Sequence, residues 1–349
     1  MIRNYLPLVL CFLTIAVNGP ATLYAEGQWI EIGMHPQAVK QRTAWGKTIQ
    51  RMTSFNGRIY LGYGDWNANT GPISITSLDP VTQKFSSEWI SMTECVSNYR
   101  PISGRLFAPA IDPRGGPPKA AGYAVGDSQG KWNDNPVFME HAFDMATLTG
   151  DDLWLVGSYG DYHSMALRSL DGGRTWKKSL DLFRAGDTMS RFYFVFELNR
   201  KLYVQSSSDI NSMVFDGTTW AAGPQITRLG HHSESFAGKI ILQSGIGVGP
   251  RGDADCGQLL VFDGIHNALP IPLDTPVWNF SVNGNTLYVL QANMLIKCTR
   301  DLINWATVAT APVNSRSLVV SANRLYIGTT DSKIYEYEDL MNMSPSVKK

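Results

Sequence analysis

The sequence contains little charge and little cysteine. Charged residues make up 17% of its 349 residues, and 30 lysines and arginines balance 30 aspartates and glutamates. A chain without a basic excess lacks the electrostatic footprint of nucleic-acid binding and a polybasic membrane patch. The 4 cysteines form no Cys-x-x-Cys pair and no cysteine–histidine cluster with zinc spacing. The composition therefore predicts no nucleic-acid partner and no structural zinc.

Residues 1–25 have the pattern of a signal peptide. Arg3 supplies the positive charge, an apolar run covers 6–17, and Ala25 is a small residue before a cleavage point. The run is short for a transmembrane helix, although an uncleaved anchor is the alternative. We therefore expect a secreted, periplasmic or cell-envelope protein with no stable membrane span after cleavage. The mature chain keeps enough cysteines for one disulfide, with the pair left open among Cys95, Cys256 and Cys298.

A repeated strand pattern organises the rest of the chain. Each copy begins with a turn rich in Gly or Asn and continues with a basic or polar residue. An aliphatic residue, an aromatic or aliphatic residue and a second aliphatic residue follow. The clearest copies are residues 55–61 and 282–289. The aliphatic positions are 59, 106, 153, 202, 240, 287 and 325, which are 38 to 49 residues apart. This is the length of a four-stranded propeller blade. The repeat predicts an all-β, seven-bladed β-propeller over residues 26–340, followed by a polar tail at 341–349.

Tryptophans mark where the ring closes. A tryptophan follows most of the repeats in a strand-like context, at Trp89, Trp132, Trp176, Trp220 and Trp305. The last repeat has none, whereas Trp29 lies in a short strand pattern at 28–32. We expect residues 28–32 to be the outermost strand of the last blade, because that pairing removes an open sheet edge. A loose N-terminal arm is the alternative.

One segment resembles a known motif. Ser169-Leu170-Asp171-Gly172-Gly173-Arg174-Thr175-Trp176 is similar to the Asp-box, S-x-D-x-G-x-T-W, of the sialidase-like (BNR) propeller superfamily. The resemblance implies a structural hairpin between the third and fourth strands of a blade, on the face away from that family's active site. The family's Arg-Ile-Pro signature is absent, and the order of residues in 99–102 is wrong for it. The resemblance therefore supports the fold and not sialidase activity.

Candidate site residues come from loops that enter the innermost strands and leave the second strands. In a propeller these loops share one face, here called the mouth face, around the central channel. Acid–base candidates on it are His141, His231 and Tyr99. Candidates for binding carboxylates or sulfates are Arg100, Arg191 and Arg316. Further substrate-binding candidates are His232, Asp161, His163, Trp66 and Trp278.

These residue types suit an anionic carbohydrate. Cleavage of a uronic-acid polysaccharide by β-elimination needs carboxylate neutralisation, a base and an acid, which arginine, histidine and tyrosine supply. Some seven-bladed propellers are polysaccharide lyases with these residue types, which is an analogy at the level of the fold. We expect an exported propeller that binds, and by lyase or hydrolase chemistry cleaves, an anionic carbohydrate.

Non-catalytic and structural interpretations of the same residues stay open. A non-catalytic propeller that binds a glycan or an extracellular protein, or an envelope scaffold, would carry the same repeat. The two adjacent histidines could bond backbone carbonyls, and Arg100 and Arg191 could form inter-blade salt bridges. A recurring aspartate favours structural turns at Asp65, Asp112, Asp209 and Asp331. No cofactor is expected; calcium is the alternative, with oxygen ligands at Asp65, Asn67, Asp253 and Asp255.

Overall fold

The computed structural model describes residues 27–113, 120–184, 189–244 and 256–338. They form seven antiparallel sheets arranged as a β-propeller, which confirms the predicted fold. A 3-10 helix (Ala38–Lys40) and one turn of α-helix, α1 (Ala44–Lys47), are the helices of these residues. None of the helices described is long and apolar enough to cross a membrane. The predicted signal peptide and the polar tail lie outside the described residues.

The first two blades come early in the chain. Strand β1 (Trp29–Met34) precedes them. Blade 1 contains β2 (Arg51–Phe55), β3 (Arg58–Gly62), β4 (Ile73–Asp79) and β5 (Lys84–Ser91). The short strand β6 (Thr93–Cys95) follows. Blade 2 contains β7 (Arg100–Ile102) and β8 (Arg105–Pro109), then, after β9 (Ile111–Pro113), β10 (Tyr123–Gly126) and β11 (Trp132–Asn135).

The other blades follow in the same order. Blade 3 contains β12 (His141–Thr147), β13 (Leu153–Tyr159), β14 (His163–Ser169) and β15 (Lys177–Phe183). Blade 4 contains β16 (Phe196–Leu198), β17 (Lys201–Val204), β18 (Met213–Phe215) and β19 (Trp220–Ala222). Blade 5 contains β20 (Ser233–Phe236), β21 (Lys239–Gln243), β22 (Leu259–Phe262) and β23 (Leu269–Pro270). Blade 6 contains β24 (Val277–Asn283), β25 (Thr286–Gln291), β26 (Leu295–Thr299) and β27 (Ala306–Thr310). Blade 7 contains β28 (Ser315–Ser321), β29 (Arg324–Thr329) and β30 (Lys333–Tyr337).

Blade 7 is completed by the N-terminal strand, as predicted. Strand β1 pairs antiparallel with β30, with Trp29 opposite Tyr337. The two rings lie 5.0 Å apart, and the indole Nε1 donates to the Thr310 carbonyl at 2.7 Å. The closure joins the first strand to the last and leaves no open edge at β30.

The tryptophans of two fourth strands pack against the preceding blade. Trp132 of blade 2 lies 5.8 Å from Tyr60 of blade 1. Trp220 of blade 4 lies 5.6 Å from Trp154 of blade 3, which is completely buried. Each such pair buries two large apolar rings between adjacent sheets, the packing that holds neighbouring blades together.

A recurring aspartate caps the hairpins between third and fourth strands. In blades 1 to 6 its carboxylate accepts hydrogen bonds from two backbone N–H groups two to four residues further along, at Asp79, Asp127, Asp171, Asp216, Asp263 and Asp301. This is the side-chain turn that aspartate favours. Blade 7 needs no such hairpin because its fourth strand is β1. The aspartates that cap a turn in successive blades are therefore not the ones that the sequence predicted as turn residues, Asp65, Asp112, Asp209 and Asp331.

The hairpin at 169–176 has the most elaborate of these turns. Ser169 Oγ donates to the Asp171 carboxylate at 2.7 Å and accepts from the Gly173 N–H at 2.8 Å. Thr175 Oγ1 donates to the same carboxylate at 2.6 Å. Trp176 then packs edge-on against Tyr123 of blade 2, 5.8 Å away. The hairpin is therefore a structural joint between blades 2 and 3.

Candidate functional site

Two short strands extend blade 3 on the channel side. Strand β9 pairs with the start of β12 through Ile111 and His141, and β6 pairs with β9. Cys95 of β6 also forms a bridge with Gly64 of blade 1. The extension therefore connects blade 3 to blade 1 across the mouth face, and it brings Asp112 against His141.

Inside the channel, Asp144 and Arg100 together join four blades. Its carboxylate accepts two hydrogen bonds from Arg100, at 2.6 and 2.7 Å, and one from Asn98 at 2.7 Å. It also accepts from the Val195 N–H at 3.0 Å. Arg100 reaches across to blade 5, where it donates to the Ser233 carbonyl at 2.7 Å. These bonds occupy the guanidinium of Arg100 in holding blades 2, 3, 4 and 5 together.

A second arginine enters the channel with much weaker partners. Arg51, 4% exposed, donates to Asn279 of blade 6 at 3.3 Å, and its Nε bonds to no described group. Burial lowers the pKa of Arg51 to about 9, a shift that the charge of Glu234 opposes. Arg51 thus places an incompletely paired cation below the mouth of the channel.

Next to Arg51, His232 and Glu234 form a close pair. Their Nε2 and Oε1 atoms are 2.5 Å apart. Burial raises the pKa of Glu234 to about 7, and burial together with the charges of Arg51 and Arg100 lowers the pKa of His232 well below its usual value. The two groups can therefore satisfy each other by sharing one proton, so His232 is committed to an interaction within the channel.

On the mouth face, Arg191 and His141 lie together. Arg191 Nη2 is 3.2 Å from His141 Nε2 and 3.3 Å from Asp161 Oδ1. A guanidinium only donates, so His141 Nε2 must accept and the ring proton is assigned to Nδ1. That Nδ1 contacts the Asp112 carboxylate, although the angle is not that of a hydrogen bond. His141 is thereby assigned as a neutral imidazole that orients Arg191.

Arg191 has little further compensation: its guanidinium carbon lies 5.8 Å from the centre of the Phe143 ring, and the guanidinium interacts with the Tyr193 side chain. The Nε and Nη1 of Arg191 are enclosed and bond to no group in the described part of the chain. The side chain is 4% exposed, whereas its weak partner Asp161 is 62% exposed. A buried guanidinium with this little compensation favours an additional anionic partner.

Aromatic rings border the cluster. His231 lies 5.3 Å from Tyr193, and Tyr193 lies 4.7 Å from Phe143. Burial, and next the charge of Arg51, lowers the pKa of His231 to about 4, while burial raises the pKa of Tyr193. Trp66 from blade 1 packs half-buried against the hydrophobic cluster that contains Tyr193 and Phe143. A neutral imidazole thus faces a protonated phenol beside the two arginines.

Other predicted residues lie elsewhere. Tyr99 is 3% exposed, and it packs 5.9 Å from Tyr60 in the core between blades 1 and 2. Arg316 places its guanidinium carbon 3.6 Å from the centre of the Trp278 ring, a cation–π contact. His163 lies on the outer part of blade 3, where its Nδ1 is 2.8 Å from Asp181 Oδ1. The structure therefore brings together His141, Arg191, Asp161 and His231, with Trp66 against the neighbouring hydrophobic cluster, and it does not bring Tyr99, Arg316, Trp278 or His163 to them.

The four aspartates predicted as turn residues have different roles. Only the Asp65 carboxylate accepts a turn N–H within the described residues, that of Ala68 at 3.2 Å. Asp112 contacts His141, Asp209 pairs with Arg184 at 2.7 Å, and Asp331 accepts from Thr329 at 2.6 Å. A shared position in the repeat thus did not produce a shared role.

Among the described residues there is neither a cluster that could hold a metal ion nor a disulfide. Across the described residues, no group of three histidines, cysteines, aspartates or glutamates could hold a metal ion. Of the oxygen ligands considered for calcium, Asp253 and Asp255 lie outside those residues. Cys95, Cys256 and Cys298 are free thiols in the structure, so none of the candidate disulfides is formed.

Sequence reasoning missed Tyr193 and Asp144. Tyr193 is two residues after Arg191, a spacing that puts both side chains on one side of an extended segment. That spacing is a usable signal. Asp144 lies inside a strand, where a buried carboxylate gives no local pattern, because its partners come from other blades.

Comparisons with known proteins support the fold. No family model and no curated protein sequence matches the chain. Among solved structures, the chain is similar to a catalytically inactive virginiamycin B lyase from Staphylococcus aureus with quinupristin, with a TM-score of 0.59, 11% identity and coverage of 89% of this chain and 99% of that one. It is also similar to YCF48 bound to D1 peptide, with a TM-score of 0.53, 12% identity and coverage of 91% and 97%.

A third similar structure is an extracellular domain. The extracellular domain of the putative hybrid two component system BT4673 from B. thetaiotaomicron has a TM-score of 0.55 at 12% identity, and the match covers 89% of this chain and 40% of that one. At identities this low, the three similarities show a shared β-propeller fold.

Proposed function

We propose that the chain is an exported β-propeller that binds an anionic carbohydrate on its mouth face. The observation that carries this proposal is Arg191, a guanidinium that is 4% exposed while its Nε and Nη1 bond to no described group. Export rests on the signal-peptide pattern of residues 1–25.

The anionic part of the proposal rests on the weakness of Asp161 as a partner. Its carboxylate is 3.3 Å from Arg191 and 62% exposed, so the pair contributes at most about 1 kcal/mol. A ligand carboxylate could replace Asp161 with small loss and bond Arg191 more closely. Arg51 adds a second cation below the same cluster.

The carbohydrate part rests on the rings beside this cation. Trp66 is half-buried against the hydrophobic cluster that contains Tyr193 and Phe143, and of these three rings it is the one with a partly exposed face. Aromatic faces with a few polar groups between them are typical of sites that bind amphipathic rings, to which sugars belong.

A β-elimination is the reaction that these groups could perform. Arg191 would neutralise a uronate carboxylate, and neutral His231 would remove the proton on the carbon next to it. The electron pair left behind forms the C4–C5 double bond, the C4–O bond breaks, and the Tyr193 hydroxyl gives its proton to the leaving oxygen. Tyr193 replaces Tyr99 in this scheme, and His141 and Arg100 act as positioning residues.

Binding without turnover is the second candidate function. Arg191 Nη2 takes the lone pair of His141 Nε2, so the histidine nearest to the proposed anion site is not free to accept a substrate proton. A non-catalytic glycan- or protein-binding propeller would need nothing more than the cation and the rings.

We also infer that the 169–176 hairpin is an Asp-box. Its support is the match of residue types and the way in which Asp171 gathers the N–H groups of the turn. The role inferred for it is structural, and it carries no argument for sialidase chemistry.

The test is binding and turnover on anionic polysaccharides, with polygalacturonate as the uronate and dextran as the neutral control. Arg191→Met should weaken polygalacturonate binding by roughly 30-fold or more, because the lost contact is a desolvated charge pair. The matched control is Arg184→Met, which removes a guanidinium that is 47% exposed directly after the last strand of blade 3. Equal affinities of the two variants would contradict the proposal.

Turnover separates the two candidate functions. A lyase should produce unsaturated products with new ultraviolet absorbance, and His231→Ala should abolish that signal while polygalacturonate still binds. Arg191-dependent binding with no absorbance change in the wild type would assign the non-catalytic function.

A further inference from the structure

A row of four rings, two exposed and two half-buried, crosses the outer part of blade 3. The ring of Phe138 lies 4.8 Å from that of Tyr159, Tyr159 lies 6.3 Å from His163, and His163 lies 4.8 Å from Phe183. Phe138 is 65% exposed and Phe183 is 54% exposed. We call these four residues the aromatic row.

Strand register holds three of the four rings on one face. Tyr159 is directly opposite His163, and His163 is directly opposite Phe183, across neighbouring antiparallel strands. Residues opposite each other in such a ladder project to the same side of the sheet. The row is therefore built into the ends of three strands, and Phe138 extends it toward blade 2.

A groove of about 630 Å³ lies beside the row, between blades 2 and 3. Its walls include Tyr159, His163 and Trp176, together with the cations Arg174 and Lys178. The groove offers a ligand both apolar faces and positive charge.

The charge in the groove is unbalanced. Asp181 bonds both His163 and Lys178, each at 2.8 Å. Arg174 donates through Nε to the backbone carbonyl of Asp171 at 3.0 Å, and no carboxylate of the described residues pairs with its guanidinium. The groove therefore has a net positive charge that complements an anionic ligand.

The row and the Arg191 site share one loop. Residues 160–162 connect Tyr159 of the row to His163 of the row, and within them Asp161 is 3.3 Å from Arg191. The Ser190 N–H, next to Arg191, also donates to the Asp161 carbonyl at 2.7 Å. A long ligand bound at Arg191 needs to cross only this loop to reach the row.

We propose that the aromatic row and its groove bind a further stretch of an acidic polysaccharide, so that the ligand is a chain of several sugars. This inference rests on the function proposed above. A saccharide chain fits better than an apolar peptide anchor, because the rings are exposed along a rim beside Arg174, whereas such anchors fill enclosed pockets. Uronate groups along the chain would pair with Arg174.

The test compares short and long oligogalacturonides, two and eight residues in length, by calorimetry. Wild type should bind the long oligomer more tightly. Phe138→Ala combined with Phe183→Ala should weaken the long oligomer about tenfold and leave the short one unchanged. Both side chains are more than half exposed, so the variant should fold. The matched control replaces Ile303 and Val313, each 80% exposed near blade 6, by alanine and should change the binding of neither oligomer.

A separate variant tests the positive charge of Arg174 in the groove. Arg174→Gln should weaken the long oligomer and reduce the salt dependence of its binding. Lys239→Gln, at the exposed start of β21 in blade 5, is the control and should change neither.

The outcomes separate this inference from the proposed function. Binding that depends on Arg191 but is the same for both lengths, or unaffected by loss of the row, would overturn the inference alone. No binding of either oligomer would overturn both. Row-dependent binding of a poly-glutamate peptide with no saccharide binding would overturn the saccharide in favour of a protein ligand.

Discussion

Replacing Asp144 by asparagine should destabilise the propeller strongly. The carboxylate is completely buried and is the only described one that pairs with Arg100, through two hydrogen bonds of 2.6 and 2.7 Å. An asparagine keeps the shape but presents N–H donors to a buried guanidinium that only donates. Breaking a buried ion pair in this way costs about 3–5 kcal/mol.

The loss converts into a shift of the melting temperature. An unfolding entropy of about 2.1 cal/mol/K per residue gives about 0.6 kcal/mol/K for a domain of about 300 residues. The Tm of Asp144→Asn should therefore fall by about 5–8 °C, measured by circular dichroism or tryptophan fluorescence. Mutating both partners, Asp144→Asn with Arg100→Met, should recover part of the loss, because no unpaired charge then stays buried.

Blade 3 offers a matched control. Asp152 also holds an arginine through two bonds, both 2.9 Å, but its partner Arg168 is 27% exposed and belongs to the same blade. Asp152→Asn should cost about 1 kcal/mol or less, hence about 2 °C or less. If Asp144→Asn lowers the Tm no more than Asp152→Asn, the claim that Asp144 and Arg100 together join four blades is wrong.

Two further predictions concern the N-terminal segment. Burial lowers the pKa of His35 to about 3, below its unfolded value of about 6.5. The unfolded chain therefore takes up a proton between these pH values, and the free energy of unfolding falls as the pH falls, by up to about 1.4 kcal/mol per pH unit. In urea titrations between pH 7 and 5, the unfolding free energy of His35→Gln should depend less steeply on pH than that of the wild type, and equal pH dependences would contradict the assignment. Trp29→Ala removes the ring contact with Tyr337 and the hydrogen bond to Thr310, so it should lower the free energy of unfolding by about 1–2 kcal/mol and speed amide hydrogen exchange in β30. The control Trp89→Ala, at a side chain that is 37% exposed on blade 1, should leave exchange in β30 unchanged.

The local parts of the fold could be predicted from the chain alone. A blade is one hairpin repeat, and its turns depend on residues a few positions apart, so the spacing of the aliphatic positions was enough to count seven blades. The displaced Trp29 was enough to identify the closing strand, because the last repeat has no tryptophan of its own.

The site was only partly predictable. The repeat placed His141, Arg191 and His231 on the mouth face, and the structure brings them into one neighbourhood. It could not distinguish Arg100 from Arg191. Both precede or begin an innermost strand, yet Arg100 has a buried carboxylate within 2.6 Å and Arg191 has only the exposed Asp161 at 3.3 Å.

The sequence by itself therefore determined the architecture of this protein, its blade count and its closure, because those depend on short-range patterns repeated along the chain. Only the tertiary structure decided which charged residues hold blades together and which are incompletely paired. The reason is physical: the partners of Arg100, Arg51 and Tyr193 come from other blades across the channel or beside it, and contacts between distant segments leave no local pattern in the sequence.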